Sequence, residues 1–175
     1  MNKFLFELGT EEIPAAMVKP ALKQLAEGFQ GLLEASSVPA PLIHCYSSPR
    51  RLALLAEDLP GQRPDQQATV IGPPERIACD GAQGLTRAGE GFARKHEIEP
   101  DQLEIIETDK GRYLGFRQVQ TGAPLTELIA AGMGEVIAGI GWPRSMYWRK
   151  TRFRFVRPLR WLIALWNDEI VNFEF

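Results

Sequence analysis

The sequence predicts an α+β fold, with short, mostly antiparallel strands and about three helices packed on one face or end. Three observations predict it. Apolar runs pair across short turns, as in Leu103–Glu107 with Tyr113–Val119 around Asp109-Lys110-Gly111. Three longer stretches carry apolar residues at helical spacing. The composition, 45% hydrophobic and 24% charged over 175 residues, is that of a chain able to bury a core.

Lys3 to Leu8 reads as a strand ended by Gly9, and Pro14 suits the first position of a helical turn, where its missing N–H is unpaired anyway. Pro20 is expected to break a longer helix, so the main helix restarts there, with Leu22, Leu25, Ala26, Phe29, Leu32 and Leu33 on its apolar face. A linker at 36–41 leads to a strand at Leu42–Tyr46, a Ser47-Ser48-Pro49 turn and a strand at Arg51–Leu59. A loop at 61–67, an extended stretch at Ala68–Ile71 and a stop at Gly72-Pro73-Pro74 follow. Asp80-Gly81 marks a turn, and Thr86 is placed to cap a helix through Leu85, Ala88, Phe92 and Ala93. Pro124 opens a third helix with Leu125, Leu128, Ile129, Met133, Val136, Ile137 and Ile140 on its stripe, and Gly141 is expected to end it. Arg152 and Arg154 alternate with Phe153 and Phe155, as on a strand with one charged and one apolar face. Pro158 is expected at a bulge or edge, before a hairpin of Trp161–Trp166 and Glu169–Phe175 over Asn167-Asp168. Stretches 60–67 and 120–124 are candidate sub-boundaries. The end inside a strand at Phe175 suggests a fragment of something longer.

No apolar run of about 18 residues is present to span a membrane, and Glu7 interrupts the N-terminal apolar stretch where a signal peptide needs continuity. Cys45 and Cys79, with His44 and His96, form neither a CxxC nor a zinc spacing and read as two reduced thiols of a cytosolic protein. There is no phosphate-binding GxxxxGK[ST] loop and no strand-linked GxGxxG. No catalytic, cofactor-binding or metal-ligating residue is assigned.

The formal charge of −2 hides a partition. Arg144, Arg149, Lys150, Arg152, Arg154, Arg157 and Arg160 follow one another without an acid, leaving 13 basic against 22 acidic residues elsewhere, a net of −9. Tyr147, Trp148, Phe153, Phe155 and Trp161 are interleaved with them. Cations for phosphates and aromatic faces for bases are the ingredients of a nucleic-acid surface. The alternative gives the aromatics to the core and the cations to a solvated strand face. Arg50 and Arg51, after a proline turn, can grip phosphates or pair with acids of the body. Glu11 and Glu12 can hold a cation or a partner's arginine, or simply favour the positive end of the helix that follows.

Six blocks in order resemble one family: FELGTEEIPA (Phe6–Ala15), SPRRLA (Ser48–Ala53), IGPP (Ile71–Pro74), GFARK (Gly91–Lys95), KGRYL (Lys110–Leu114) and RFVRPLRW (Arg154–Trp161). They are similar to the N-terminal part of the beta subunit of bacterial glycyl-tRNA synthetase. One departure is MYWRKTRFR between Met146 and Arg154, where many relatives read MRWG. The resemblance implies a cytoplasmic ligase of two alpha and two beta chains that joins glycine to tRNA(Gly) with ATP and Mg. It places the aminoacylation site on the alpha subunit and gives the beta subunit mainly tRNA contact. On that footing Arg50, Arg51, Arg149, Lys150, Arg152, Arg154, Arg157 and Arg160 are candidate tRNA contacts, and Glu11 and Glu12 candidate contacts to another subunit. The alternative is a docking module for the alpha subunit that touches no RNA.

Overall fold

The computed structural model describes residues 1–80, 84–148 and 153–175. It is α+β, and the chain divides into two compact units, 1–64 with 122–175, and 65–121.

The first unit begins with β1 (Asn2–Thr10), α1 (Ala15–Glu34), β2 (Leu42–Ser48) and β3 (Arg51–Leu59). The strand runs through Gly9 rather than ending there. α1 is one helix with Pro20 inside it, where a break and restart were expected. Pro20 is only the sixth residue of α1, so the single bond it forfeits is the one to the Ala16 carbonyl, beside the helix start. Leu25, Phe29 and Leu33 are fully buried, and Phe29 stacks on Phe4 of β1 with ring centroids 5.3 Å apart.

The second unit holds β4 (Gln66–Pro74), a one-turn helix α2 (Glu75–Ala78), α3 (Arg87–His96), a 3₁₀ turn at Pro100–Gln102, and the hairpin β5 (Glu104–Thr108) and β6 (Gly111–Gln120). Its three strands run in the order β4-β6-β5, all antiparallel. The expected stop at Gly72-Pro73-Pro74 is instead the end of β4. Being an edge strand, it tolerates prolines that donate nothing, with an irregular register between Ile71 and Pro74. Thr86 caps α3, its hydroxyl accepting from the amides of Ala88 and Gly89. Phe92 of α3 packs on Phe116 of β6 at 5.9 Å. Gly81, half of the expected Asp80-Gly81 turn, lies outside the described residues.

The chain returns to the first unit with α4 (Leu125–Ala138), then β7 (Met146–Tyr147), β8 (Arg154–Phe155), β9 (Leu159–Trp166) and β10 (Glu169–Ile170). The return is clasped: the Arg63 amide donates to the Ala123 carbonyl at 3.0 Å and the Leu125 amide to Gly61 at 3.0 Å. α4 ends at Ala138 rather than at Gly141. Gly141 has another role, its amide donating to Gln24 Oε1 of α1 at 2.8 Å. The five-stranded sheet has the order β10-β9-β1-β3-β2, each neighbour antiparallel. Phe4, Phe6 and Leu8 of β1 point to one face and join Leu25, Phe29, Ile129, Met133 and Ile137 of the two helices in the core. The opposite face bears Leu5, Glu7, Arg51, Leu55, Trp161 and Ile163 by strand alternation. Among the described residues no helix is long and apolar enough to cross a membrane.

Candidate functional site

Three of the six sequence blocks meet in the first unit, at the end of β1. The register sets Gly9 opposite Arg51 on one side and Trp161 on the other, two residues from Glu7. That spacing brings both neighbours within diagonal reach of the Glu7 carboxylate. Arg51 Nε lies 3.2 Å from Glu7 Oε1, and the Trp161 indole N–H donates to the same oxygen at 2.8 Å. The Trp161 ring lies on Gly9. A methyl group at Gly9 would fall 2.0–2.4 Å from three atoms of that ring, closer than any real contact, so this position needs glycine for space rather than for its dihedral angles.

The following residues are tied down by their backbone. The Thr10 amide donates to the Arg50 carbonyl at 2.9 Å, Glu11 to Pro158 at 3.1 Å and Ile13 to Pro49 at 2.7 Å. Arg160 Nε pairs with Glu11 Oε1 at 3.3 Å, and Arg157 Nε–H donates to the Glu12 carbonyl at 2.8 Å. Pro158 marks an irregularity as expected: pairing of β1 with β9 slips between Gly9 and Thr10, next to it. The decapeptide is therefore a clasp between the SPRRLA turn and the start of β9.

The candidate cations separate into three groups. Arg51, Arg157 and Arg160 each engage the decapeptide. Arg50 and Arg154 are exposed and form no ion pair among the described residues; the Arg154 guanidinium sits 5.4 Å from the centre of the Tyr147 ring. Arg149, Lys150 and Arg152 lie outside the described residues. The expected alternation holds where it is described, with Arg154 exposed, Phe155 fully buried and Phe153 stacked on Phe155 at 5.6 Å. Glu12 is exposed and Glu11 half-buried.

Beside the junction opens a cavity of about 520 Å³ lined by Trp148, Phe153, Phe155, Arg160, Trp161 and Phe173, among others. Sequence reasoning placed Glu7 inside a strand and gave it no role. Its part emerges only from the register of β1 against both neighbours. On the same sheet face, Lys3 Nζ pairs with Glu57 Oε1 at 2.6 Å and His44 Nε2 lies 3.4 Å from Glu57 Oε2. The hydrogen bond with Lys3 holds the Glu57 carboxyl below its ordinary range and raises the Lys3 ammonium. Burial raises the Cys45 thiol. Among the described residues no three His, Cys, Asp or Glu side chains converge to hold a metal ion.

Comparison with known proteins agrees with the resemblance. The family model for the glycyl-tRNA synthetase beta subunit matches residues 4–175. The chain is 39% identical over 173 residues to the glycine–tRNA ligase beta subunit of Oleidesulfovibrio alaskensis, covering 99% of this chain and 25% of that protein. It is 39% identical over 174 residues to that of Trichlorobacter lovleyi and 38% over 175 residues to that of Shouchella clausii, each covering 99% of this chain and 25% of the relative. The chain thus spans about a quarter of the length of these curated relatives. Matched from Phe4 to its last residue, it belongs to the glycyl-tRNA synthetase beta subunit family.

Proposed function

We propose that this region contributes tRNA contact and subunit assembly to an ATP-dependent glycine–tRNA ligase of two alpha and two beta chains. Glycine activation, with its ATP and Mg, takes place on the alpha subunit, and the assembly works in the cytoplasm. One observation carries the RNA reading. The decapeptide engages three of the candidate arginines, whereas Arg50 and Arg154 form no ion pair among the described residues, in the unit that also holds an aromatic-lined cavity. Exposed guanidinium groups beside aromatic faces suit phosphates and bases together.

The test is salt-dependent binding of tRNA(Gly) by the full-length complex. Removing one phosphate contact lowers the log–log salt slope by about 0.7–0.9. Arg154→Ala, and the Arg152→Ala/Arg154→Ala/Arg157→Ala triple variant, weaken binding and flatten that slope. Unchanged affinity and slope in a folded triple variant would overturn the RNA role.

A second reading, docking of the alpha subunit without RNA contact, is favoured by the internal engagement of Arg51, Arg157 and Arg160. Glu12 is its cleaner probe, because Glu11 already pairs with Arg160. Glu12→Lys then impairs assembly with the alpha chain and spares the tRNA affinity of isolated beta. A normal complex mass by light scattering would remove this reading.

A further inference from the structure

We propose that Trp161 is a stacking platform for a single unpaired nucleobase, seated in the aromatic cavity at the start of β9. The proposal rests on the RNA-contact reading above and gives it a specific ligand element. Three features of Trp161 point to it. Its ring backs onto Gly9 so closely that no side chain fits between them. Its indole N–H is already bonded to Glu7, which fixes the ring's orientation and uses its one polar group. Yet 40% of the residue remains exposed, and it lines the cavity of about 520 Å³. What Trp161 offers is a fixed aromatic surface with its hydrogen-bonding capacity already used. Such a platform suits stacking and is indifferent to hydrogen-bond pattern.

The cavity's other walls suit the same guest. Trp148, Phe153 and Phe155 are aromatic, and the volume lies in the range of about 300–1,000 Å³ typical of small-ligand pockets. Arg160 lines the cavity with 60% of its side chain in solvent, despite its pairing with Glu11. Arg154 stands in sequence between two lining phenylalanines, with its side chain exposed. A base flanked by phosphates is met by aromatic walls with cations at their edge. An apolar protein anchor would use the walls and leave Arg154, which has no carboxylate partner among the described residues, without an anionic counterpart. Inside a duplex both faces of a base are already stacked, so the guest proposed is an unpaired base. Glu7 and Gly9 act as positioning residues for the platform.

The test uses the full-length chain and tRNA(Gly) transcripts carrying an abasic site at each unpaired position in turn. Trp161→Leu weakens tRNA binding about tenfold, within the range of base–aromatic stacking, and leaves the salt slope unchanged because every phosphate partner stays in place. Trp161→Phe, which keeps an aromatic face, retains most of the affinity. One abasic position weakens binding to the wild-type protein by a similar factor and has no further effect with Trp161→Leu. That non-additivity is the signature of direct contact, and the abasic arm leaves the protein's fold untouched. If folded Trp161→Leu binds tRNA as the wild type does, or if no abasic position matters, the platform is overturned while the RNA reading stands. If the wild-type protein shows no tRNA binding, both fall. If Trp161→Leu impairs association with the alpha chain and spares tRNA affinity, the cavity holds a protein anchor and the proposal is overturned.

Discussion

The clasp at the end of β1 and the short β7–β8 ladder both bring arginines beside aromatic rings, yet they use them differently. In the clasp, Arg51 and Arg160 meet carboxylates, and Arg157 a backbone carbonyl, all supplied by one decapeptide. In the β7–β8 ladder, Arg154 is exposed, and among the described residues it meets the Tyr147 ring, 5.4 Å from its centre, and no carboxylate. The sequence counts these cations alike. Among the described residues, the fold commits the first set to holding strands together and leaves Arg154 outside that bonding. A run of like charge therefore measures potential for binding, and only the register shows how much of it is already committed.

The largest effect expected from breaking the clasp is at Gly9. Gly9→Ala drives a methyl group into the Trp161 ring and destabilises the first unit by about 3 kcal/mol, toward the upper part of the usual overpacking range. Urea denaturation measures it, and Trp161→Leu in the same chain restores much of that stability. Parallel behaviour of the single and double variants would show that the close approach is not what constrains Gly9. Glu7→Ala comes next. It removes the acceptor shared by Trp161 and Arg51 and costs about 1–2 kcal/mol, measured in the same way. Arg154→Ala sharpens the comparison from the other side: stability changes by less than about 0.5 kcal/mol while tRNA binding weakens. A destabilisation as large as that of Glu7→Ala would place Arg154 with the committed cations.

The smallest effect concerns pH. The folded-state pKa of Glu57 is depressed, so its contribution is present above the unfolded value and is lost as pH falls through the lower, folded one. Lys3 is raised, so its contribution is present below the unfolded value and disappears as pH rises through the folded one. Both groups lie at the surface, where solvent screening keeps the effect small. Melting temperatures of wild type and Glu57→Gln should therefore converge at both extremes of pH, and a constant difference would rule the pairing out.

Local signals read the elements well wherever one strand or helix decides its own form. The Arg51–Leu59 strand, the Thr86 cap and the hairpin around Lys110 have the positions that alternation and turn chemistry give them. Pro20 misled because an interior proline removes one hydrogen bond without having to end the helix, and the buried stripe of Ala21, Leu25, Phe29 and Leu33 holds α1 against the sheet beyond it. Pro73 and Pro74 misled because an edge strand is not distinguishable from a central one before strand order is known. The clasp lay further out of reach. Glu7, Gly9, Arg51 and Trp161 are spread over most of the chain, and nothing in their local spacing says that β1 lies between β3 and β9. The six blocks marked the family, but the reason three of them belong together is a register.

The bonds from Arg63 to Ala123 and from Leu125 to Gly61 make the point where the chain leaves the first unit also the point where it returns. Topologically, 65–121 is a loop whose ends are already closed by its host. The entropy of closing such a loop rises only with the logarithm of its length, about 0.6 kcal/mol for each doubling. The host sheet is thus almost indifferent to how much chain hangs from that stem. The strand order of the first unit is set by pairings among its own strands, and the stem keeps the two ends of 65–121 side by side whatever the length between them.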